Sequence, residues 1–312
     1  MKKGLNLRSS TIFFALVVVL VSLSGCNPSP AGPSAGSEDI SSWMPCVGVH
    51  APGFRGSPEF EIQVDAVRRL QMAGRVKWIR VGYVDPRGDS RDYVVEFKSM
   101  GLKIFTNISL EQLERSSSWE DAFEQFYHSF PEVDIWEIAG EVTNSDPSVN
   151  IKTTTPEYYV SKFKQLYTYV KRNYPGVTLA SAPTVGSVGG PRELETFFNL
   201  GLLDTDAVIA LNLYTENALQ QYASVFDAYA RKMSNKRIWV PETGVQPQSR
   251  QIWWVQNMYP KIQRTLRPEM MCWYILWDGD RPIGITNGLL NNLYNPPVHE
   301  SELFKRLTRG YQ

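Results

Sequence analysis

The chain has 312 residues, 32 basic and 32 acidic, so its formal net charge is zero. That balance removes the electrostatic case for a nucleic-acid partner. Its three cysteines and three histidines are scattered without a Cys-x-x-Cys or His-Glu-x-x-His pattern, so no metal box is present and no cofactor is implied.

At the N-terminus, Lys2, Lys3 and Arg8 precede the apolar run TIFFALVVVLVSL. A basic start, an apolar core and small residues before a cleavage point are the pattern of a secretory signal peptide. The box Leu23-Ser24-Gly25-Cys26 resembles the cleavage site of bacterial lipoproteins. The resemblance implies a signal peptide over 1–26, a lipid on Cys26 and a place in the cell envelope. An uncleaved membrane anchor is the other reading, and both tie the chain to a membrane surface. Asn27 follows the cysteine, where no Asp is present to prevent outer-membrane sorting. Residues 27–42, NPSPAGPSAGSEDISS, are rich in Pro, Gly and Ser. With so little apolar content they cannot repay the entropy of folding and read as a flexible tether. The rest, 43–312, has no second linker or repeat and suits one large domain, expected to be monomeric.

From there, β-branched and aromatic runs alternate with amphipathic segments. In chain order the strand-like runs are Pro45 to His50, Val76 to Tyr83, Lys103 to Ile108, Asp134 to Glu141, Thr178 to Ala182, Ala207 to Tyr214, Arg237 to Glu242 and Met271 to Trp277. After each comes a helical segment, from PEFEIQVDAVRRLQMAG behind the first run to HESELFKRLTR behind the last, and several begin at Pro or Ser and end at Gly or Pro. Eight strand–helix units imply parallel strands joined by crossovers, an α/β chain best closed as a single (β/α)8 TIM barrel. First and last strands are then neighbours. Cys46 and Cys272 would lie near one another low in the barrel, either as a disulfide or as two buried thiols.

Barrels of this kind carry their chemistry at the C-terminal strand ends. Those ends hold His50, Arg80 with Tyr83 and Asp85, Asn107, Glu141, Ser181, Asn212 with Tyr214, Glu242, and Trp277 with Asp278. Glu137 precedes Glu141 by one helical turn's worth of residues but lies in a strand, so it shares a face with Glu141 at greater depth. A carboxylate there needs a partner, and Arg80 is a candidate.

Two motifs, Trp136-Glu137-Ile138-Ala139-Gly140-Glu141 on strand four and Trp239-Val240-Pro241-Glu242-Thr243-Gly244 on strand seven, resemble those of retaining glycoside hydrolases built on (β/α)8 barrels. The resemblance implies that Glu141 is the acid/base and Glu242 the nucleophile. It further implies that Arg80 and Tyr214 hold the nucleophile and that Trp277 forms the sugar-stacking floor, with Asn212 and Gly140 at the substrate site, while His50 and Asn107, from neighbouring strand ends, are expected to reach into it. Two departures stand out. Gly140 occupies the position where the family has an Asn that hydrogen-bonds the sugar 2-hydroxyl, and Asn212-Leu213-Tyr214 replaces the common His-x-Tyr. The expected partner is therefore a β-linked carbohydrate, with the membrane reached through the lipid anchor. A non-catalytic carbohydrate-binding lipoprotein on a degenerate barrel is the alternative. A lyase or esterase barrel is the weakest option, since the chain has no Gly-x-Ser-x-Gly elbow or phosphate loop.

Overall fold

A computed structural model describes residues 45–310 apart from 51–52, 87, 89, 146–151, 187–188, 280–285 and 295–296. The signal segment 1–26, Cys26 and the tether 27–42 lie outside the described residues. Among the described residues, no helix is long and apolar enough to cross a membrane.

The chain runs β1 (Cys46–Val49), α1 (Pro58–Met72), β2 (Trp78–Val81), α2 (Ser90–Ser99), β3 (Lys103–Ile108), α3 (Leu110–Glu114), α4 (Trp119–Ser129), β4 (Ile135–Ile138), α5 (Pro156–Asn173), β5 (Thr178–Ala180) and α6 (Gly190–Asn199). It continues through β6 (Ile209–Ala210), α7 (Glu216–Ala228), α8 (Ala230–Met233), β7 (Ile238–Thr243), α9 (Gln251–Leu266), β8 (Met270–Trp273), β9 (Leu290–Asn291), β10 (His299–Glu300) and α10 (Glu302–Leu307). Helix starts follow local chemistry. Ser57 and Thr155 cap α1 and α5 with Pro in the first turn, and Ser109 forms a capping box with Gln112. The short α3 has no counterpart in the sequence reading. The single helix expected over 217–235 is broken at Tyr229 into α7 and α8.

The eight strands β1–β8 pair in parallel in the order β5-β4-β3-β2-β1-β8-β7-β6. Parallel bridges Ala180↔Val208 and Thr184↔Leu211 join the two ends. The result is a nearly closed (β/α)8 barrel. Alternate residues face the interior. At the N-terminal end of the strands the inward set Cys46, Phe105, Ile135, Ala180, Val208, Trp239, Met270 and Cys272 makes a dry plug, in which the Trp239 ring meets Trp78 and Phe105 edge-on. Cys46 and Cys272, facing one another across β1 and β8, form a disulfide, which decides between the two readings of that pair. The larger apolar cluster fills the layer between strands and helices.

One irregularity positions the mouth. Val240 pairs with Met271 and Thr243 with Trp273, so β7 carries one more residue than β8 over that step, a β-bulge. Period-two alternation from inward-facing Trp239 would turn Glu242 outward, whereas the extra residue turns it in.

Candidate active site

Above the plug, the strand ends and following loops enclose a cavity of about 840 Å³, bounded among the described residues by Glu141, Glu242, Arg80, His50, Tyr214 and Tyr274, with others from the β1, β2, β7 and β8 loops. Arg80 rises from β2 with its guanidinium over the Phe105 ring, 5.6 Å from the centroid, and spans two carboxylates. Its Nη2 donates to Glu137 Oε1 at 2.9 Å and its Nη1 to Glu242 Oε1 at 2.6 Å. The ion pair foreseen for Glu137 is therefore made, and it links onward to Glu242. Burial opposes the charge on Arg80, but Glu137 and Glu242 outweigh it and hold the guanidinium above its ordinary value. Burial pushes the fully enclosed Glu137 up to about 7, against the pull of Arg80.

On its other oxygen, Glu242 Oε2 accepts the Tyr214 hydroxyl at 2.8 Å. Burial, then the Glu242 charge, raise Tyr214 well above its ordinary value, so the phenol stays a donor. The side-chain amide of Asn212 connects the two acids, its Nδ2 lying 2.8 Å from Glu141 Oε1 and 3.2 Å from Glu242 Oε2. Two acceptors of one nitrogen at these distances stand no more than about 6 Å apart, and straight hydrogen bonds from one amide, about 120° apart, correspond to about 5 Å. Glu141 also accepts from Asn144 Nδ2 at 2.6 Å and from the Gly186 amide at 3.0 Å. Burial and then the Glu242 charge raise Glu141 above the usual carboxyl range, while those three donors oppose the rise. The arrangement sets Glu141, whose proton affinity is raised, opposite Glu242, which is anchored by Arg80 and Tyr214.

His50 and Gly140 also bound the cavity. Asn107 sits lower, fully buried, where its Oδ1 accepts the Tyr83 amide at 2.8 Å. It thereby holds Tyr83, whose φ of 45° is rare for a non-glycine residue, at the cavity wall. Trp277 is not among the bounding side chains. It is 6 % exposed, packs edge-on against Tyr294 at 5.0 Å and bridges Leu290. Strand β8 is assigned to Trp273, and alternation from inward-facing Cys272 selects Tyr274, which bounds the cavity and whose ring meets Tyr214 edge-on at 5.9 Å. Sequence reasoning missed Tyr274, Asn144 and Gly186. The first was findable from the parity of Cys272, while the other two lie on loops whose reach no local pattern encodes. Among the described residues, no group of three or more His, Cys, Asp or Glu side chains is arranged to hold a metal ion.

No family model matches the sequence, and no curated protein does. Solved structures do match. β-Glucuronidase 2 of Bacteroides uniformis, covalently bound to cyclophellitol-6-carboxylate aziridine, is similar with a TM-score of 0.58 at 13 % identity, over 86 % of this chain and 35 % of that one. AbfB, a family 51 α-L-arabinofuranosidase from Bifidobacterium longum, gives 0.54 at 10 % identity, over 86 % and 73 %. Saccharomyces cerevisiae Gas2p, as a mutant in complex with laminaritetraose and laminaripentaose, gives 0.57 at 14 % identity, over 86 % and 63 %. This chain thus spans about a third of the glucuronidase's length. The shared feature is the fold.

Proposed function

We propose that the protein is a glycoside hydrolase that cleaves O-glycosidic bonds of an oligo- or polysaccharide with retention, through two displacements. The observation that carries this is the Asn212 amide donating to both Glu141 and Glu242. It keeps the two carboxyl groups near the roughly 5 Å separation of retaining enzymes, well inside the wider gap that inverting enzymes leave for a water. Glu242, oriented by Arg80 and Tyr214, attacks the anomeric carbon while protonated Glu141 gives its proton to the departing oxygen. Water, deprotonated by Glu141, then releases the sugar from Glu242. The raised proton affinity of Glu141 suits the first half of that cycle. Tyr274 offers the ring face against which the apolar side of a pyranose can lie. The β-glucuronidase and the α-L-arabinofuranosidase named above give this reading a precedent by analogy of fold alone.

Cys26 would carry the lipid that keeps this activity at the bacterial cell envelope. Globomycin treatment or Cys26→Ser, followed by fractionation and lipid labelling, decides that part. For the chemistry, the domain truncated after Cys26 is screened on aryl glycosides and polysaccharides beside Glu141→Gln and Glu242→Gln. Turnover with net retention, lost in both variants, is the expected outcome. Glycan binding that survives both substitutions, with no wild-type turnover, would instead identify a carbohydrate-binding module, the reading favoured by Gly140.

A further inference from the structure

A fourth carboxyl group, outside the Arg80 network, lies close to Glu141. Glu193, in α6, is only 7 % exposed, and its oxygens are both engaged. Oε1 accepts the Thr143 hydroxyl at 2.7 Å and Oε2 accepts the Val185 amide at 3.0 Å. Thr143 belongs to the loop after β4 and Val185 to the loop after β5. In each loop the very next residue reaches Glu141, Asn144 through its side-chain amide and Gly186 through its backbone N–H. One buried side chain therefore ties together the two loops that deliver these donors.

The surrounding packing leaves those loops little freedom. A Cβ on Gly190 would lie 2.1 Å from the Val185 carbonyl oxygen and 2.3 Å from the Tyr222 hydroxyl, so α6 starts where only glycine fits. Tyr222 in turn shares a 2.6 Å hydrogen bond with Thr184. A Cβ on Gly186 would fall 2.2 Å from the Tyr214 ring, so the amide that serves Glu141 is pressed against the phenol that serves Glu242. A buried carboxylate is a costly way to fill space. Burial holds Glu193 at about 6, with Thr143 and Val185 opposing. An apolar residue would pack without that cost but would leave two donors unsatisfied.

We propose that Glu193 is a positioning residue for Glu141, a clamp that sets the Asn144 and Gly186 donors and through them the proton affinity of the acid/base group. The inference rests on the reading of Glu141 as that group. The charged or titratable side chains facing Glu193 are Glu141, Tyr159 and Tyr222. A clamp and a bare charge predict different things. Losing the donors destabilises ionised Glu141 and raises its titration midpoint, whereas losing a nearby negative charge lowers it.

Glu193→Ala removes both clamp and charge. Glu193→Gln removes the charge but keeps the clamp, because its amide oxygen can accept from Val185 while its NH2 donates to the Thr143 hydroxyl, which is acceptor as well as donor. The midpoint of Glu141 is read from the side-chain carboxyl carbon by NMR in glutamate-labelled protein, with Glu141→Gln for assignment. The expected result is a rise of about one pH unit in Glu193→Ala, a tenfold change in proton affinity, and no rise in Glu193→Gln. Equal downward shifts in both variants, or an unmoved midpoint in Glu193→Ala, overturns the proposal. Thr143→Val, which cuts one arm of the clamp, should move the midpoint the same way by less, and it decides the matter if Glu193→Ala does not fold. Kinetics give a second readout: Glu193→Ala lowers kcat about tenfold on glycosides with poor leaving groups and little on activated aryl glycosides, which need no proton. Because the titration requires no turnover, an inactive wild-type protein would sink the glycosidase reading while leaving the clamp to be judged on its own.

Discussion

The two ends of the barrel interior are built on opposite terms. The lower end is a dry plug of Phe105, Ile135, Trp239 and Met270, closed by the Cys46–Cys272 disulfide. One layer higher stand Arg80, Glu137, Asn107 and Asn212, all buried, with Arg80 Nε, Glu137 Oε2, Asn107 Nδ2 and Asn212 Oδ1 each without a hydrogen-bond partner among the described residues. Such atoms cost free energy. The contrast teaches where this fold stores stability and where it spends it: apolar packing and a covalent tie below support a charged, incompletely satisfied mouth above.

The largest expected effects fall at the mouth and should leave the plug untouched. On the proposed reading of Glu242 as nucleophile, Glu242→Gln should lower turnover on the order of ten-thousandfold, with a thermal midpoint equal to or above wild type. A drop in midpoint comparable to a core mutation would show that the two ends are not separable. At the other end the sign reverses. Trp239→Ala should cost about 3–5 kcal/mol in denaturant titration, and Cys46→Ala with Cys272→Ala about 3–5 kcal/mol. In both cases kcat of the surviving folded fraction should change by less than about twofold. A mixed outcome is expected where the ends meet. Glu137→Gln leaves Arg80 with one carboxylate in place of two and should reduce kcat by about tenfold on the proposed reading, while stability above about pH 7 should not fall, because burial already disfavours ionised Glu137.

The smallest effect is a slope. Glu137 and Glu193, held at about 7 and about 6 by burial, bind protons more tightly folded than unfolded. Stability from these groups is therefore fullest below the ordinary carboxyl range and falls as pH rises through it toward 7. Replacing Glu193 by Gln should flatten that fall by about 2 kcal/mol, measured as denaturation midpoints from about pH 4 to about pH 8. A slope unchanged by Glu193→Gln would remove that carboxyl from the account.

How far the sequence could be read depended on the range of the interaction. The barrel was legible because the strand runs and capped helices are local patterns, and all eight runs became strands in the expected order. The meeting of Glu141, Glu242, Arg80, Asn212 and Tyr214 followed from placing each at a strand end. Glu242 was reached in spite of the alternation rule, since the bulge between Val240 and Thr243 is a one-residue shift that composition does not announce. Trp277, expected under the sugar, packs edge-on against Tyr294, and Tyr274, which shares the parity of Cys272, bounds the cavity. The Glu193 clamp joins residues far apart in sequence and leaves no local trace.

The bond between Cys46 and Cys272 spans 226 positions in sequence and makes that stretch a closed covalent loop. A protease that cuts any exposed turn within it opens the loop without producing two molecules. The pieces stay at high effective concentration, so a nicked barrel can reassemble as a unimolecular event. That converts a first cleavage from a fatal event into a silent one, visible only when a reductant is added.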